Sequence, residues 1–326
     1  MTAPRCTRRS FLELACAAFA LLLAGCVPQQ EPVLRIGTNV WIGSEPLYLA
    51  RELGRLDSTS VQLVEYPSAS EVLRAFRNQA IDGMVISLDE LYTLVADGFQ
   101  PRVVVVADVS HGADVVVGRE NMRSMRDLKG KSIAVESSAL GAFVLSRALT
   151  LSDMHATDVT VVHLESNEQL AAFKKGEVDG AVTFDPYRAS FVQAGARPLF
   201  DSTRIPGEIV DVLAVRATTV ERQARAVQTL LRGWFGAIEY LASEPADAAR
   251  RMAIRQQTTG DQFLQALRGI HIPSRDENLA LLAGDSPGLV TTGERLMSLM
   301  VAAKLLPRTV DIRSVLAPGP LQELQR

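Results

Sequence analysis

The sequence predicts an α/β fold of two lobes built on one plan, finished by a helical C-terminal tail. Three observations predict it. Short β-branched runs alternate with helical stretches from residue 33 to residue 216, the pattern of βα units with mainly parallel pairing. The alternation begins again near residue 131 with different contents. After Ala217 the composition turns to amphipathic helix, as it would if the chain completed one lobe after visiting another.

The elements follow in order. Residues 33–38 alternate and predict a strand. A loop from Asn39 to Glu45 leads into a helix with Pro46 in its first turn and Gly54 just past its end. Strand 61–66 precedes a helix that Ser68 and Glu71 box at its start and that ends near Gln79. Strand 81–87, a helix over 89–97 stopped by Gly98, and the valine-rich strand 102–108 complete the first set. The second set has strand 131–136, a helix from Ala139 to Thr150, strand 159–164, a helix capped by Ser166 and Gln169, and strand 179–184. Ile81-Asp82-Gly83-Met84-Val85 and Val178-Asp179-Gly180-Ala181-Val182 each close a helix and open a strand. Strand 209–216 follows, then helical segments over 218–242 and near 245–256, 260–269, 274–283 and 292–305.

The N-terminus follows a different grammar. Arg5, Arg8 and Arg9 precede an apolar run from about Leu14 to Leu23, and Ala24 and Gly25 precede Cys26. Charge, apolar core and small-residue site come in the order of an export signal. Leu22-Leu23-Ala24-Gly25-Cys26 resembles the end of a bacterial lipoprotein signal peptide, in which the Cys receives a lipid and becomes the first mature residue. The apolar run is shorter than the roughly 20 residues of a membrane span. Thr7-Arg8-Arg9-Ser10-Phe11-Leu12 resembles a twin-arginine motif, from which Glu13 departs, so the Sec and twin-arginine routes both stay open. Residues 1–25 are then a signal peptide, and 26–32 the lipidated Cys with a tether. The body is expected on the periplasmic or cell-surface face of a bacterial membrane.

Composition narrows the function. Cys6, Cys16 and Cys26 all lie in this segment, so the mature body has no thiol for a disulfide or a metal. Removing residues 1–25 takes three Arg and one Glu from the 34 basic and 37 acidic side chains and leaves a net charge of about −5. That balance argues against nucleic acid as a partner. The four His are scattered without metal-ligand spacing. No nucleophile-elbow, P-loop or zinc signature occurs. Lys129, Lys131, Lys174 and Lys175 fall on turns and helix ends. The expectation is a monomer without enzymatic activity, cofactor or metal.

Three segments carry a family resemblance. Residues 43–54, from Gly43-Ser44-Glu45-Pro46 to Glu52-Leu53-Gly54, look like the first helix of the substrate-binding proteins of ABC importers for nitrate, sulfonates, taurine and thiamine-pyrimidine precursors. Asp127-Leu128-Lys129-Gly130-Lys131-Ser132-Ile133-Ala134-Val135 resembles the entry to their second lobe, and Gly176-Glu177-Val178-Asp179-Gly180-Ala181 is similar to their helix-to-strand step. The resemblance covers roughly residues 33–320. It implies a type II periplasmic binding protein: two lobes, two hinge strands and a solute clamped between them by hinge closure. On that topology 33–112 and 212–326 form lobe 1, 113–211 forms lobe 2, and the hinge lies in 103–117 and 209–216. The implied partner is an ABC permease. A membrane sensor protein reading the same ligand is the alternative.

Ligands of open α/β sheets lie beyond the carboxyl ends of the strands. That rule selects Asn39, Trp41 and Ser44 after the first strand, Ser87 and Asp89 after the third, and Asp108 and Ser110 near the first crossing. In the second lobe it selects Glu136, Ser137, Ser138, Phe184 and Asp185, and the returning strand adds Asp211. Each has a structural alternative. Trp41 could be core, Asp89, Asp185 and the serines could cap helices, and Asp108 and Ser110 could only form a turn. The set holds five carboxylates and no Lys or Arg. A small nitrogenous or sulfonate-class solute is the expected cargo. The charge favours an amine or an aminopyrimidine stacked on Trp41.

Overall fold

Two β-sheets carry the fold. The computed structural model describes residues 31–324, so the expected signal segment 1–25 and Cys26 lie outside the described residues. In chain order come β1 (Leu34–Thr38), α1 (Glu45–Glu52), β2 (Val61–Glu65), α2 (Ala69–Arg77), β3 (Gly83–Ser87), α3 (Leu88–Ala96) and β4 (Pro101–Ser110). Then come β5 (Asp114–Arg119), β6 (Ser132–Val135), α4 (Ala139–Thr150), β7 (Thr160–His163), α5 (Ser166–Lys175), β8 (Gly180–Phe184), α6 (Tyr187–Gln193) and β9 (Ala196–Asp201). After β10 (Val210–Arg216) the tail holds α7 (Ala217–Arg222), α8 (Ala224–Ser243), α9 (Pro245–Arg255), α10 (Gly260–Leu267), the short β11 (Ile270–His271), α11 (Arg275–Leu282), α12 (Gly288–Ala302) and α13 (Gly319–Glu323).

The first sheet runs β11-β4-β10-β3-β1-β2 and the second β7-β6-β8-β5-β9. Omitting β11, both have one plan: three parallel βα strands, an antiparallel strand beside the third, then an outer strand. The antiparallel strands, β10 and β5, are those by which the chain enters each sheet from the other. Among the strands, β1 pairs parallel with β2 and β3, and β6 with β7 and β8. Pairs involving β4, β5, β9, β10 and β11 are antiparallel, which corrects the expectation of mainly parallel pairing. The βα strands end at the space between the sheets, and an entering strand starts there and must run the other way.

The Asp-Gly step shared by the two halves has a structural cause. Asp82 accepts from the Arg35 N–H at 3.0 Å while its own N–H reaches the Arg35 carbonyl at 2.8 Å. Asp179 does the same to Ser132, at 3.1 and 2.8 Å. Each Asp thereby sets the register of the third strand on the first. The Gly that follows lets the entering strand approach. A Cβ on Gly83 would lie 2.9 Å from the Ala214 carbonyl oxygen, and one on Gly180 2.5 Å from that of Val117.

Other departures are local. The strand β9 and helix α6 were not expected. Pro198 argues against a strand interior, and β9 tolerates it as the edge of its sheet. The segment 218–242 is two helices, broken at Gln223. Ser166 does not cap α5: it is the first helical residue, and its hydroxyl donates to Glu136. The tail closes the first sheet, with Asn278 accepting from Val106 N–H at 2.7 Å and donating to its carbonyl at 3.2 Å. Glu208, in the return segment, is gripped by Arg147 at 2.6 Å and by Arg295 at 3.1 Å.

Candidate functional site

Both entering strands bring acids to the gap between the sheets. In register, Asp211 on β10 faces Ser87 on β3 and Asp108 on β4. Asp114 opens β5 opposite Phe184 at the end of β8. A cavity of about 50 Å³ lies here, walled from both sheets. From the first sheet's side come Asn39, Trp41, Ser87, Glu90 and Asp211, and from the second's come Asp114, Glu136, Ser138, Thr183 and Phe184. Val85, Ile86, Leu140, Val144 and Val182 supply apolar wall.

Of the expected residues, Asn39, Trp41, Ser87, Glu136, Ser138, Phe184 and Asp211 line this cavity. Six do not. Ser44 is fully buried in the 3-10 turn Ile42–Ser44 ahead of α1. Asp89 is buried in the first turn of α3, but the helical rotation of about 100° per residue turns Glu90 to the cavity instead. Asp108 lies behind Trp41 and accepts from its Nε1–H at 3.0 Å. The Ser110 hydroxyl bonds that of Ser202 at 2.8 Å and so braces the crossing. Ser137 is exposed to solvent. Asp185 pairs with Arg188 at 2.7 Å.

Three polar lining residues escaped the sequence reading: Glu90, Asp114 and Thr183. Glu90 carried a signal, because Ser87-Leu88-Asp89-Glu90 has the spacing of a capping box. The reciprocal bond of that box forms, with the Ser87 N–H donating to Glu90 Oε2 at 3.4 Å, and the Ser87 hydroxyl donates to the same oxygen at 2.9 Å. Asp114 and Thr183 have no local signature.

The carboxylates are under electrostatic strain. Burial, then the neighbouring charges of Asp89 and Glu136, push Glu90 up to about 8, opposed by Ser138 and Ser87. Burial first, with Asp108, Asp89 and Asp185 nearby, raises Asp114 to about 7 against a hydrogen bond from Ser110. Asp211 is held well above the ordinary carboxylate range by burial and by Asp108, Asp114, Glu90 and Asp89. Glu136 is raised by burial, but it is satisfied: the Ser70 N–H reaches Oε1 at 2.9 Å and the Ser166 hydroxyl reaches Oε2. Ser70 Oγ also donates to Glu165 at 2.5 Å. The start of α2 on the first sheet thus holds two carboxylates from the second.

Trp41 is only 6 % exposed. Its ring meets Phe184 edge-on at 5.6 Å, and Phe184 meets Tyr187 at 5.4 Å. It is a braced wall of the cavity and not a free platform.

Two sheets of one plan joined by paired crossings, with a lined cavity between them, define a periplasmic binding protein fold, and solved structures agree. The alkanesulfonate-binding protein SsuA from Xanthomonas axonopodis pv. citri, bound to MOPS, superposes with a TM-score of 0.72 at 20 % identity, covering 89 % of this chain and 99 % of that one. The desulfurization enzyme DSZB superposes at 0.64 with 16 % identity, covering 89 % and 98 %, so the fold serves binding and catalysis alike. The chain belongs to the NMT1-like family, whose profile matches residues 28–255. A protein of Escherichia coli (strain K12), provisionally named an aliphatic sulfonates-binding protein, is 28 % identical over 205 residues, 60 % of this chain. The chain spans 63 % of the length of that relative.

Proposed function

We propose that this chain is an extracytoplasmic solute-binding protein that closes two lobes on a small solute and delivers it to an ABC import permease. The observation that carries the reading is the cavity itself, walled by both sheets beside both crossings. Lobe 1 would comprise 33–112 and 212–326, lobe 2 113–211, and the two crossing segments would be the hinge. The contact of Glu136 and Glu165 with the start of α2 would then be a closure contact. The cavity volume of about 50 Å³ is well below the few hundred Å³ of a common ligand pocket. Entry of a solute therefore requires the lobes to part, as hinge closure provides. The relatives' names support binding over catalysis, and the lining offers no Cys, His or Lys as a nucleophile. Lipidation at Cys26 would keep the protein at the membrane beside its permease.

The test is a thermal-shift screen of small solutes on protein lacking residues 1–26, followed by solution scattering with each stabilising solute. A binder that makes the protein more compact supports the reading. Trp41 and Trp234 are the two tryptophans, and only Trp41 lines the cavity. In Trp234→Phe protein the remaining emission should change on binding. Stabilisation without compaction or an emission change would count against a solute held between lobes.

A further inference from the structure

Three carboxylates outside the cavity are buried beside a cation, whereas Asp89 and Asp108, just behind its wall, are buried without one. Glu45 lies 3.3 Å from Arg255, Glu208 lies against Arg147 and Arg295, and Asp185 against Arg188. The cavity's described lining holds Glu90, Asp114, Glu136 and Asp211 and no Lys, Arg or His. Glu136 is satisfied by Ser70 and Ser166. By contrast, Glu90 Oε1, Asp114 Oδ2 and Thr183 Oγ1 are buried without a hydrogen-bond partner, on residues only 1 %, 3 % and 1 % exposed. A buried acceptor left unpaired is costly. Here three converge on one cavity, with Glu90 from the first sheet's side and Asp114 and Thr183 from the second's.

We propose that the solute is a small organic cation, an ammonium or amidinium on an apolar body, whose N–H groups bridge Glu90 of one lobe and Asp114 of the other beside Asp211. This rests on the solute-binding reading above and names the class of solute. An N–H-bearing cation supplies the donors that Glu90 Oε1 and Asp114 Oδ2 lack, in charge-assisted bonds. Its apolar body meets Trp41, Phe184 and the aliphatic wall. A sulfonate would bring like charge to buried carboxylates and offer acceptors where donors are missing.

The charge has a second consequence. The charges of Asp89 and Glu136 act on Glu90, those of Asp108, Asp89 and Asp185 on Asp114, and those of Asp108, Asp114, Glu90 and Asp89 on Asp211, with Ser87 and Ser138 beside Glu90 and Ser110 beside Asp114. Arg188, paired with Asp185, is the cation at this margin. The empty site therefore retains protons near neutrality, and a bound cation displaces them. Binding should release protons, and affinity should rise from about pH 6 to about pH 8. An anion would show the reverse.

The test uses protein lacking residues 1–26, with benzylamine and benzamidine as cationic probes and propanesulfonate and nitrate as anionic ones. Calorimetry in buffers of different ionisation enthalpy reads the protons. A cationic probe should bind with proton release and compaction, and Glu90→Gln and Asp114→Asn should each weaken it roughly 10- to 100-fold. Ligand-free melting curves of both variants verify folding. Tight propanesulfonate or nitrate binding with compaction, strengthened in those variants, would overturn the cationic class and leave the solute-binding reading standing. Cation binding unchanged in both variants would also overturn it. No response to any probe would count against the class, and against solute binding too if a wider solute screen is equally silent.

Discussion

Glu90→Gln should make the ligand-free protein more stable, by an amount that grows as pH rises from about 4.5 to about 8. Burial and the charges of Asp89 and Glu136 raise Glu90 from 4.5 to about 8. The folded state then holds a proton that the unfolded state has given up. The stability linked to that proton is fully present below about pH 4.5 and is lost as pH rises through about 8. At 1.36 kcal/mol per unit the ceiling is about 5 kcal/mol. The acids around Glu90 share this penalty, so the gain from one substitution is on the order of 2–4 kcal/mol near pH 8. Gln keeps the capping box, because its carbonyl oxygen still accepts from the Ser87 N–H. The assay is chemical denaturation of wild type and variant between about pH 5 and pH 8, without solute. The two curves should nearly coincide at the acid end and separate as pH rises. A variant less stable than wild type by the same amount at both ends would refute the reasoning, since it would mean that Glu90 is ionised and paired.

Other perturbations address the remaining links. Glu136→Gln should weaken the contact with α2 and shift the ligand-free protein toward a more open form, seen as a larger radius of gyration. An unchanged radius would mean that this contact does not govern closure. Gly180→Ala places a Cβ 2.5 Å from the Val117 carbonyl oxygen. It should destabilise the protein by roughly 1–3 kcal/mol through overpacking, read by urea denaturation, whereas Gly195→Ala meets only the strain of its positive φ of 84°. Cys26→Ser should block processing or release the protein from membranes. Mature variant that still fractionates with membranes would remove the lipid anchor from the reading.

The sequence alone determined the local elements, because their causes are local. Alternation over 33–38, the Ser68 cap of α2 and the Asp-Gly steps at 82–83 and 179–180 each act within a few residues or in one strand pair. The two-lobe plan was legible for the same reason, since the steps recur in both halves. The strand β9 was not, because an edge position tolerates a Pro that an interior strand would refuse. At the site, the strand-end rule located the cavity and seven of its lining residues, but it could not say which side chain of a turn points inward. That choice depends on helical rotation, which favours Glu90 over Asp89, and on Trp41, which covers Asp108. Asp114 reaches the cavity because β5 enters its sheet antiparallel beside β8, which sets it opposite Phe184, a pairing that the linear pattern does not carry. The convergence of acids from both sheets on one cavity is decided by the tertiary structure, because charge repulsion and burial act through space between residues 90, 114 and 211, which no local pattern relates.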